Sequence, residues 1–183
     1  MNISIDPIIF ASQRIALEPV SFYGLDDFHE YSMYPDFYKY LEFSPFVTID
    51  DSKKYLNKII ERSKSPLEQY WFIRSKDHDK IIGSFAVVNL DSNRLSVDIG
   101  YGVSPLYWGN GYFTAAINII VDYLFNDIHL HRIRALTSKL NKASIIGLEK
   151  AGFKNEGVMI DYYRQFDGRW SDAAIMAKIN YEK

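Results

Sequence analysis

The sequence contains no cysteine among its 183 residues. This absence excludes disulfide bonds, metal sites built from thiolates, and any covalent intermediate on a cysteine sulfur. Any group-transfer chemistry must therefore use other nucleophiles or proceed by direct attack of one substrate on another.

Long apolar runs and dense basic clusters are also missing. No stretch approaches the ~18 consecutive apolar residues of a membrane-spanning helix, and residues 1–19 lack the basic segment of a secretion signal. The net charge is −2, and no Lys/Arg cluster marks a nucleic-acid footprint. We therefore expect a single domain, residues 1–183, that is soluble and cytoplasmic and binds neither nucleic acid nor membranes.

The apolar periodicity predicts a mixed fold of strands and helices. The expected strands are Arg14–Glu18, Tyr70–Arg74, Lys80–Asn89, Leu95–Val103, Arg132–Ser138, Val158–Phe166 and Ser171–Ile179. The expected helices are Asp26–Met33, Asp36–Phe43, a helix from the capping box Thr48–Asp51 to about Arg62, Phe113–Phe125, and Ser144–Ala151, with Gly152 as its left-handed C-cap. Together they indicate an α/β (α+β) fold with a mixed, mostly antiparallel sheet and helices on both faces. One connection, from Leu95–Val103 to Arg132–Ser138, should be parallel.

A glycine turn, Gly109-Asn110-Gly111, lies between a predicted strand and the most regular amphipathic helix of the chain. Such a turn exposes unpaired backbone N–H groups at a helix N-terminus, which favours a phosphate or pyrophosphate ligand. A purely structural turn is the alternative, because glycine tolerates positive φ. A dinucleotide fingerprint is not favoured, since its third glycine would fall at Thr114, and no G-K-[ST] follows to make a P-loop.

Recognisable segments extend along nearly the whole chain. They are Ser12-Gln13-Arg14-Ile15-Ala16-Leu17, Ile99-Gly100-Tyr101, Tyr107-Trp108-Gly109-Asn110-Gly111-Tyr112, Asn141-Lys142-Ala143-Ser144, Leu148-Glu149-Lys150-Ala151-Gly152-Phe153 and Glu156-Gly157. Taken together, they resemble the GCN5-related N-acetyltransferases (GNAT), and within them the ribosomal-protein N-terminal acetyltransferases of the Rim type. The resemblance implies a GNAT fold, acetyl-CoA as cofactor, transfer to a primary amine, and a sheet splayed open beside the glycine turn.

The resemblance also implies where the cofactor binds. Backbone N–H groups from Trp108 to Phe113 would hold the CoA pyrophosphate, and the strand Ile99–Val103 would pair with the pantetheine amides. The residues expected to bind cofactor are Ile99, Tyr101, Val103, Trp108, Gly109, Asn110, Gly111, Tyr112, Phe113, Asn141 and Ser144. The chain departs from the family at Leu106, where Gln or Arg is frequent, and at Ala115, where Glu is frequent.

Two residues are expected to act in catalysis. Ser144 matches the family's Asn-x-x-Ser pattern, in which the serine hydroxyl donates to the CoA sulfur; a helix N-cap is the alternative for Ser144 and for Asn141. Asp98 stands where relatives often carry Glu and could deprotonate the amine through a water. A surface strand carboxylate is the alternative for Asp98. Tyr101, in the opposite alternation class, is expected to contact cofactor or core.

Phe43 and Tyr163 are expected to line the acceptor pocket, with Tyr162 as a further candidate. His129 and His131 have no third ligand in the sequence, so no metal site is expected. The acceptor is a primary amine, either a protein N-terminus or a small molecule such as an amino-sugar nucleotide, aminoglycoside, polyamine or amino acid. A non-catalytic acyl-CoA sensor is the rival interpretation, and the protein is expected to be a monomer or homodimer.

Overall fold

The computed structural model describes residues 3–165 and 167–181. The strands are β1 (Phe10–Ala11), β2 (Ile15–Pro19), β3 (Gln69–Ser75), β4 (Lys80–Asp91), β5 (Ser96–Val103), β6 (Arg132–Ser138), β7 (Lys154–Arg164) and β8 (Trp170–Ile179). The helices are α1 (Leu25–Ser32), α2 (Pro35–Tyr38), α3 (Ile49–Arg62), α4 (Tyr112–Asp122) and α5 (Lys142–Lys150). Within these residues, no helix is both long enough and apolar enough to cross a bilayer.

The strands form one eight-stranded sheet in the order β1-β2-β3-β4-β5-β6-β8-β7. Among the recorded pairs, β5 and β6 run parallel and the others run antiparallel, which confirms the predicted mixed sheet. The parallel pair is joined through α4, as the crossover rule requires for adjacent parallel strands. The glycine turn that joins β5 to α4 therefore lies at the end of the sheet where β5 terminates.

Helices cover both faces of the sheet, as predicted. On one face, the apolar side of α4 packs on β2 to β6 and on β8, with Ile117, Ile120 and Leu124 fully buried. On the other face, α1 and α3 pack on β3 and β4 through a second, smaller core that contains Phe28, Leu56 and Phe72. The sheet is thus the middle layer of three.

Several local predictions are confirmed. Thr48 and Asp51 form the reciprocal capping box that starts α3. Gly152, after α5, has φ 86°, and Gly168 in the last turn also has φ 86°. Strand β6 has the predicted bounds. The last hairpin is longer than predicted at its start, since β7 begins at Lys154; residue Phe166, which the prediction included, lies outside the described residues.

The predicted helix Asp36–Phe43 is wrong in extent, because α2 ends at Tyr38. The reason is tertiary packing. The rings of Phe37, Tyr38, Phe43 and Phe46 contact one another. A continuous helix would point these four side chains in different directions, because each residue turns by about 100°. Their packing in one aromatic cluster overrides local helix propensity.

Two smaller differences concern α4 and the N-terminus. The predicted helix Phe113–Phe125 ends earlier, and Tyr123–Asp127 form a π-helical turn. This wider turn places the Tyr123 hydroxyl where it accepts from the backbone N–H of Asp6, at 3.2 Å. The two-residue strand β1, which pairs with β2, is too short to leave a periodic signal in the sequence.

Candidate active site

The sheet opens between β5 and β6. Their parallel pairing joins Ser96–Ile99 to Arg132–Ala135, and the recorded register ends there. Beyond that point β5 pairs with β4 as far as Val103, while β6 pairs with β8 as far as Ser138. The two central strands therefore diverge, and within the described residues the β6-facing edge of Gly100–Val103 has no strand partner. An edge of free peptide groups suits a ligand that itself carries amides.

The glycine turn lies at the open end of this wedge. Gly109 has φ 76° and Gly111 has φ 80°, both in the left-handed region that favours glycine. Gly111 is the N-cap of α4, where no side chain of the described residues caps the helix and where the first turn contains no acidic residue. The leading amides of α4 are therefore available to an anion. A Cβ at Gly109 would meet no described atom within 4 Å, so the loop faces open space.

Side chains of the turn fold back and fix its shape. The Trp108 indole Nε1 donates to the Val103 carbonyl oxygen at 2.7 Å, which ties the turn to the end of β5. The Asn110 amide donates to the carbonyl oxygens of Tyr107 and Trp108 at 3.2 and 3.1 Å. The backbone N–H of Trp108 already donates to the Pro105 carbonyl oxygen at 3.3 Å. Of the predicted N–H donors, those after Trp108 are the ones left for a ligand.

Two hydroxyl groups meet inside the wedge. The Tyr101 hydroxyl lies 2.6 Å from the Ser144 Oγ. The Tyr101 ring packs against Phe113 of α4 with ring centroids 4.3 Å apart, which fixes the phenol between β5 and α5. Burial raises the pKa of Tyr101, the bond to Ser144 opposes that rise, and the nearby Tyr163 phenol adds to it. Tyr101 is therefore protonated at neutral pH, and either of the two hydroxyl groups can donate to the other.

Helix capping and a hydroxyl directed into the wedge were the two roles expected here, and Asn141 has the first while Ser144 has the second. Asn141 is the N-cap of α5, and its side-chain oxygen accepts from the Ser144 backbone N–H at 3.1 Å. Ser144 is not the cap, because its hydroxyl bonds to Tyr101 instead. The capping interpretation therefore describes Asn141, while the Ser144 hydroxyl is directed into the wedge.

Asp98 lies on the sheet face opposite to Tyr101, since the two residues belong to different alternation classes of β5. Its carboxylate accepts from Arg134 Nε and Nη2, both at 2.7 Å, and from the Asn89 amide at 3.0 Å. The bond to Asp98 raises the pKa of the Arg134 guanidinium. Asp98 also borders a surface cavity of about 360 Å³ that Arg94 and Arg132 help to line. The Asp98 carboxylate is partly exposed and is reachable from solvent.

The aromatic residues expected on the acceptor side lie in two places. Phe43 is 40% exposed and packs on Tyr38 and Tyr55, with ring centroids 5.6 and 5.8 Å apart. Tyr163 of β7 contacts Tyr162, with centroids 5.0 Å apart. Burial raises the pKa of Tyr163, and Tyr162 and Glu42 raise it further. Tyr163 is thus close enough to Tyr101 and to Glu42 to interact with both electrostatically.

Some neighbours of the site have no signal in the sequence. Arg134 and Asn89 are the partners of Asp98. Arg14 contacts the glycine turn, and Asp77 contacts Tyr112, which follows it. These contacts join residues far apart in the chain, so spacing rules do not detect them. Within the described residues, no group of three metal-ligating side chains is positioned to hold a metal ion.

Comparison with known proteins shows the family of the chain. The sequence model of the acetyltransferase (GNAT) domain matches residues 14–154. The chain is 26% identical over 171 residues to an uncharacterised N-acetyltransferase, p20, of Bacillus licheniformis, covering 93% of this chain and 96% of that protein. It is 29% identical over 123 residues to the [ribosomal protein uS5]-alanine N-acetyltransferase of Escherichia coli, covering 67% of this chain and 63% of that protein.

Solved structures show the same fold. A GCN5-related N-acetyltransferase from Brucella melitensis superposes with a TM-score of 0.87 at 22% identity, covering 96% of this chain and 80% of that chain. The ribosomal-protein-S5-alanine acetyltransferase of Vibrio fischeri superposes with a TM-score of 0.83 at 25% identity, covering 96% and 98%. The chain belongs to the GNAT family of acetyltransferases. It is an N-acetyltransferase by family, and the wedge between β5 and β6 is its candidate active site.

Proposed function

We propose that this chain transfers an acetyl group from acetyl-CoA to the α-amine of a peptide or protein, by direct attack in a ternary complex. The observation that carries the proposal is the arrangement of the wedge. It has uncapped N–H groups of α4 at its mouth, free peptide edge along Gly100–Val103, and the Tyr101–Ser144 hydroxyl pair inside. These three features match the pyrophosphate, the pantetheine amides and the thioester of acetyl-CoA, in that order.

We propose that the cofactor is bound mainly by backbone groups and less by side chains. Amides from Gly109 to Phe113 would bind the pyrophosphate, with Trp108 and Asn110 holding the loop in shape. Gly100–Val103 would pair with the pantetheine arm as an added strand, with Ile99 at the vertex of the wedge. Acetyl-CoA supplies an activated acyl group, so no covalent enzyme intermediate is needed.

Two residues are proposed to move protons. The amine nitrogen attacks the thioester carbonyl carbon, a C–N bond forms, and the C–S bond breaks. Ser144, which is hydrogen-bonded to Tyr101, is proposed to donate the proton that the departing sulfur takes up. Asp98 is proposed to accept the proton that leaves the amine, through a water, from the opposite sheet face. Arg134 and Asn89 hold its carboxylate in place.

The peptide acceptor is proposed from the named relatives. Two proteins similar to this chain are named for acetylating an alanine of a ribosomal protein, which points to an N-terminal α-amine within the Rim-type group. The aromatic residues Phe43 and Tyr163 are proposed to line the path to the acetyl group. Small-molecule amines are the competing acceptors, and a sensor without turnover is the competing function.

The acceptor is tested by competition under one set of conditions. The purified protein is incubated with acetyl-CoA and an equimolar mixture of an alanine-initiated basic peptide, its N-terminally blocked form, spermidine, an aminoglycoside and an amino-sugar nucleotide. Mass spectrometry then identifies the acetylated species. The proposal predicts acetylation of the free peptide at its α-amine and none of the blocked peptide. Preferred acetylation of a small molecule would overturn the peptide assignment, and CoA binding without any product would favour the sensor.

A further inference from the structure

Side-chain contacts connect the glycine turn to the start of β2 and to the turn between β3 and β4. Arg14 precedes β2, Asp77 lies in the turn between β3 and β4, and Tyr112 is the first residue of α4. Arg14 Nη1 donates to the Asn110 carbonyl oxygen at 2.8 Å, and Arg14 Nη2 lies 3.2 Å from Asp77 Oδ2. The Tyr112 hydroxyl donates to the same Asp77 oxygen at 3.0 Å. The Arg14 guanidinium carbon also lies 4.7 Å from the centroid of the Tyr112 ring. We call these three residues the loop clamp.

The loop clamp sets the direction of a backbone amide. In a trans peptide, the carbonyl group and the next N–H point in opposite directions. Because Arg14 holds the Asn110 carbonyl oxygen on one side, the N–H of Gly111 is held pointing away from Arg14. Gly111 has φ 80° and caps α4, so its peptide plane could otherwise rotate with little steric resistance. Fixing this plane aligns the Gly111 N–H before any ligand arrives.

The carboxylate of Asp77 would not be expected beside the glycine turn if this surface served only to attract an anion. Hydrogen bonds from Tyr112 and Arg14 hold the pKa of Asp77 below its ordinary value, so it is charged at neutral pH. A negative charge beside a pyrophosphate site is unfavourable by itself. The Arg14–Asp77 pair is also about half exposed, and exposed ion pairs add little to stability. The contribution that remains for the Arg14–Asp77 pair is to fix the orientation of the Asn110–Gly111 peptide.

We infer that Arg14 is a positioning residue for the glycine turn, held in place by Asp77 and Tyr112, and that it prepares the turn to bind the CoA pyrophosphate without serving as the phosphate ligand itself. This inference rests on the proposed acetyl-CoA dependence. Tyr112 was expected to contact cofactor, and the clamp gives its side chain a separate role: it receives a hydrogen bond from Ser75 at 3.2 Å and passes one on to Asp77.

Removal of Asp77 separates positioning from direct binding. If Arg14 were the phosphate ligand, Asp77→Asn would free its charge and remove a repulsive carboxylate, so CoA would bind as well or more tightly. If Arg14 positions the turn, Asp77→Asn loosens both Arg14 and Tyr112, and CoA binds more weakly. The two accounts therefore predict opposite signs for one substitution.

The experiment measures CoA affinity by calorimetry for the wild type, Arg14→Gln, Arg14→Lys and Asp77→Asn. Arg169→Gln is the matched control, because Arg169 is highly exposed, pairs with Asp167 in the turn between β7 and β8 and makes no recorded contact with the glycine turn. We expect Arg14→Gln and Asp77→Asn each to weaken CoA binding about tenfold, the size typical of a lost charge-assisted hydrogen bond, and Arg169→Gln to leave it unchanged. Arg14→Lys should fall between, because an ammonium does not reproduce the guanidinium fork.

Two further readouts distinguish the clamp from a general structural role. In the cofactor-free protein, NMR order parameters of the N–H vectors of residues 109–113 should fall in Arg14→Gln and in Asp77→Asn, while those of β6 stay unchanged. With S-acetylpantetheine, which lacks the pyrophosphate, the variants should match the wild type in kcat/KM. Asp77→Asn that binds CoA as tightly as the wild type, or equal losses with both acyl donors, would overturn the inference. A wild type that binds no CoA would instead overturn the proposed function, and this inference with it.

Discussion

The hydroxyl groups of Tyr101 and Ser144 lie 2.6 Å apart, although 43 positions separate the two residues in the chain. Tyr101 comes from the diverging part of β5 and Ser144 from the first turn of α5. Because the Tyr101 pKa is raised by burial, its proton stays in place at neutral pH and the pair forms a donor chain. This pair is the proposed proton source for the departing sulfur.

We expect substitutions in the Tyr101–Ser144 pair to lower kcat without changing cofactor affinity. Ser144→Ala should lower kcat about 100-fold, the lower end of the range for a lost general acid, with the Kd for CoA within about threefold of the wild type. Tyr101→Phe should lower kcat in the same direction, because it removes the partner that orients Ser144. Ser63→Ala is the matched control, since the Ser63 hydroxyl donates to the Ile59 carbonyl of its own helix. Unchanged kcat in Ser144→Ala would remove this residue from the mechanism.

Asn141 should contribute to both stability and cofactor binding. Asn141→Ala removes the N-cap of α5 and should cost about 1 kcal/mol in the free energy of unfolding, measured by urea denaturation. It should also weaken CoA binding, because the backbone at the α5 N-terminus loses its fixed position. Thr48→Ala, which removes the N-cap of α3, is the control: it should destabilise the fold without changing CoA affinity. If both variants bind CoA like the wild type, Asn141 is a cap alone.

If Asp98 is the base, substitutions of Asp98 and of its ion-pair partner Arg134 should differ in their effect on kcat. Asp98→Asn should lower kcat about 100-fold, because an amide cannot accept the amine proton. Arg134→Gln keeps the carboxylate, which Asn89 still holds, and should lower kcat only about threefold. Steady-state kinetics with a fixed amine acceptor compares the two. An equal loss in both variants would show that the ion pair matters for structure, and a normal rate in Asp98→Asn would assign the proton to another acceptor.

The acceptor pocket should respond to Tyr163. Tyr163→Ala is expected to raise the KM of the amine acceptor about fivefold, corresponding to about 1 kcal/mol for a lost aromatic contact, without changing CoA affinity. The matched control is Tyr181→Ala, because Tyr181 is 78% exposed near the end of the described chain. A change in CoA affinity with an unaltered acceptor KM would place Tyr163 on the cofactor side of the wedge.

Local signals in the sequence predicted the fold well where the structure depends on local chemistry. The bounds of β6, the capping box at Thr48 and the positive φ of Gly152 follow from short patterns. The end of α2 did not follow, because contacts among the rings of Tyr38, Phe43 and Phe46 override the helix propensity of this segment. The same distinction applies to the site. The glycine turn is legible from consecutive residues, whereas the Arg14–Asp77 contact spans 63 positions and the Arg134–Asp98 contact spans 36.

The central claim is transfer of an acetyl group from acetyl-CoA to an amine by the wedge between β5 and β6. Release of free CoA thiol, followed with a thiol-specific reagent, tests it most directly, and the absence of cysteine in the protein keeps that signal clean. We predict thiol release by the wild type that requires an alanine-initiated peptide with a free α-amine and falls about 100-fold in Ser144→Ala. Release that is independent of any amine, or equal in the wild type and Ser144→Ala, would contradict the account.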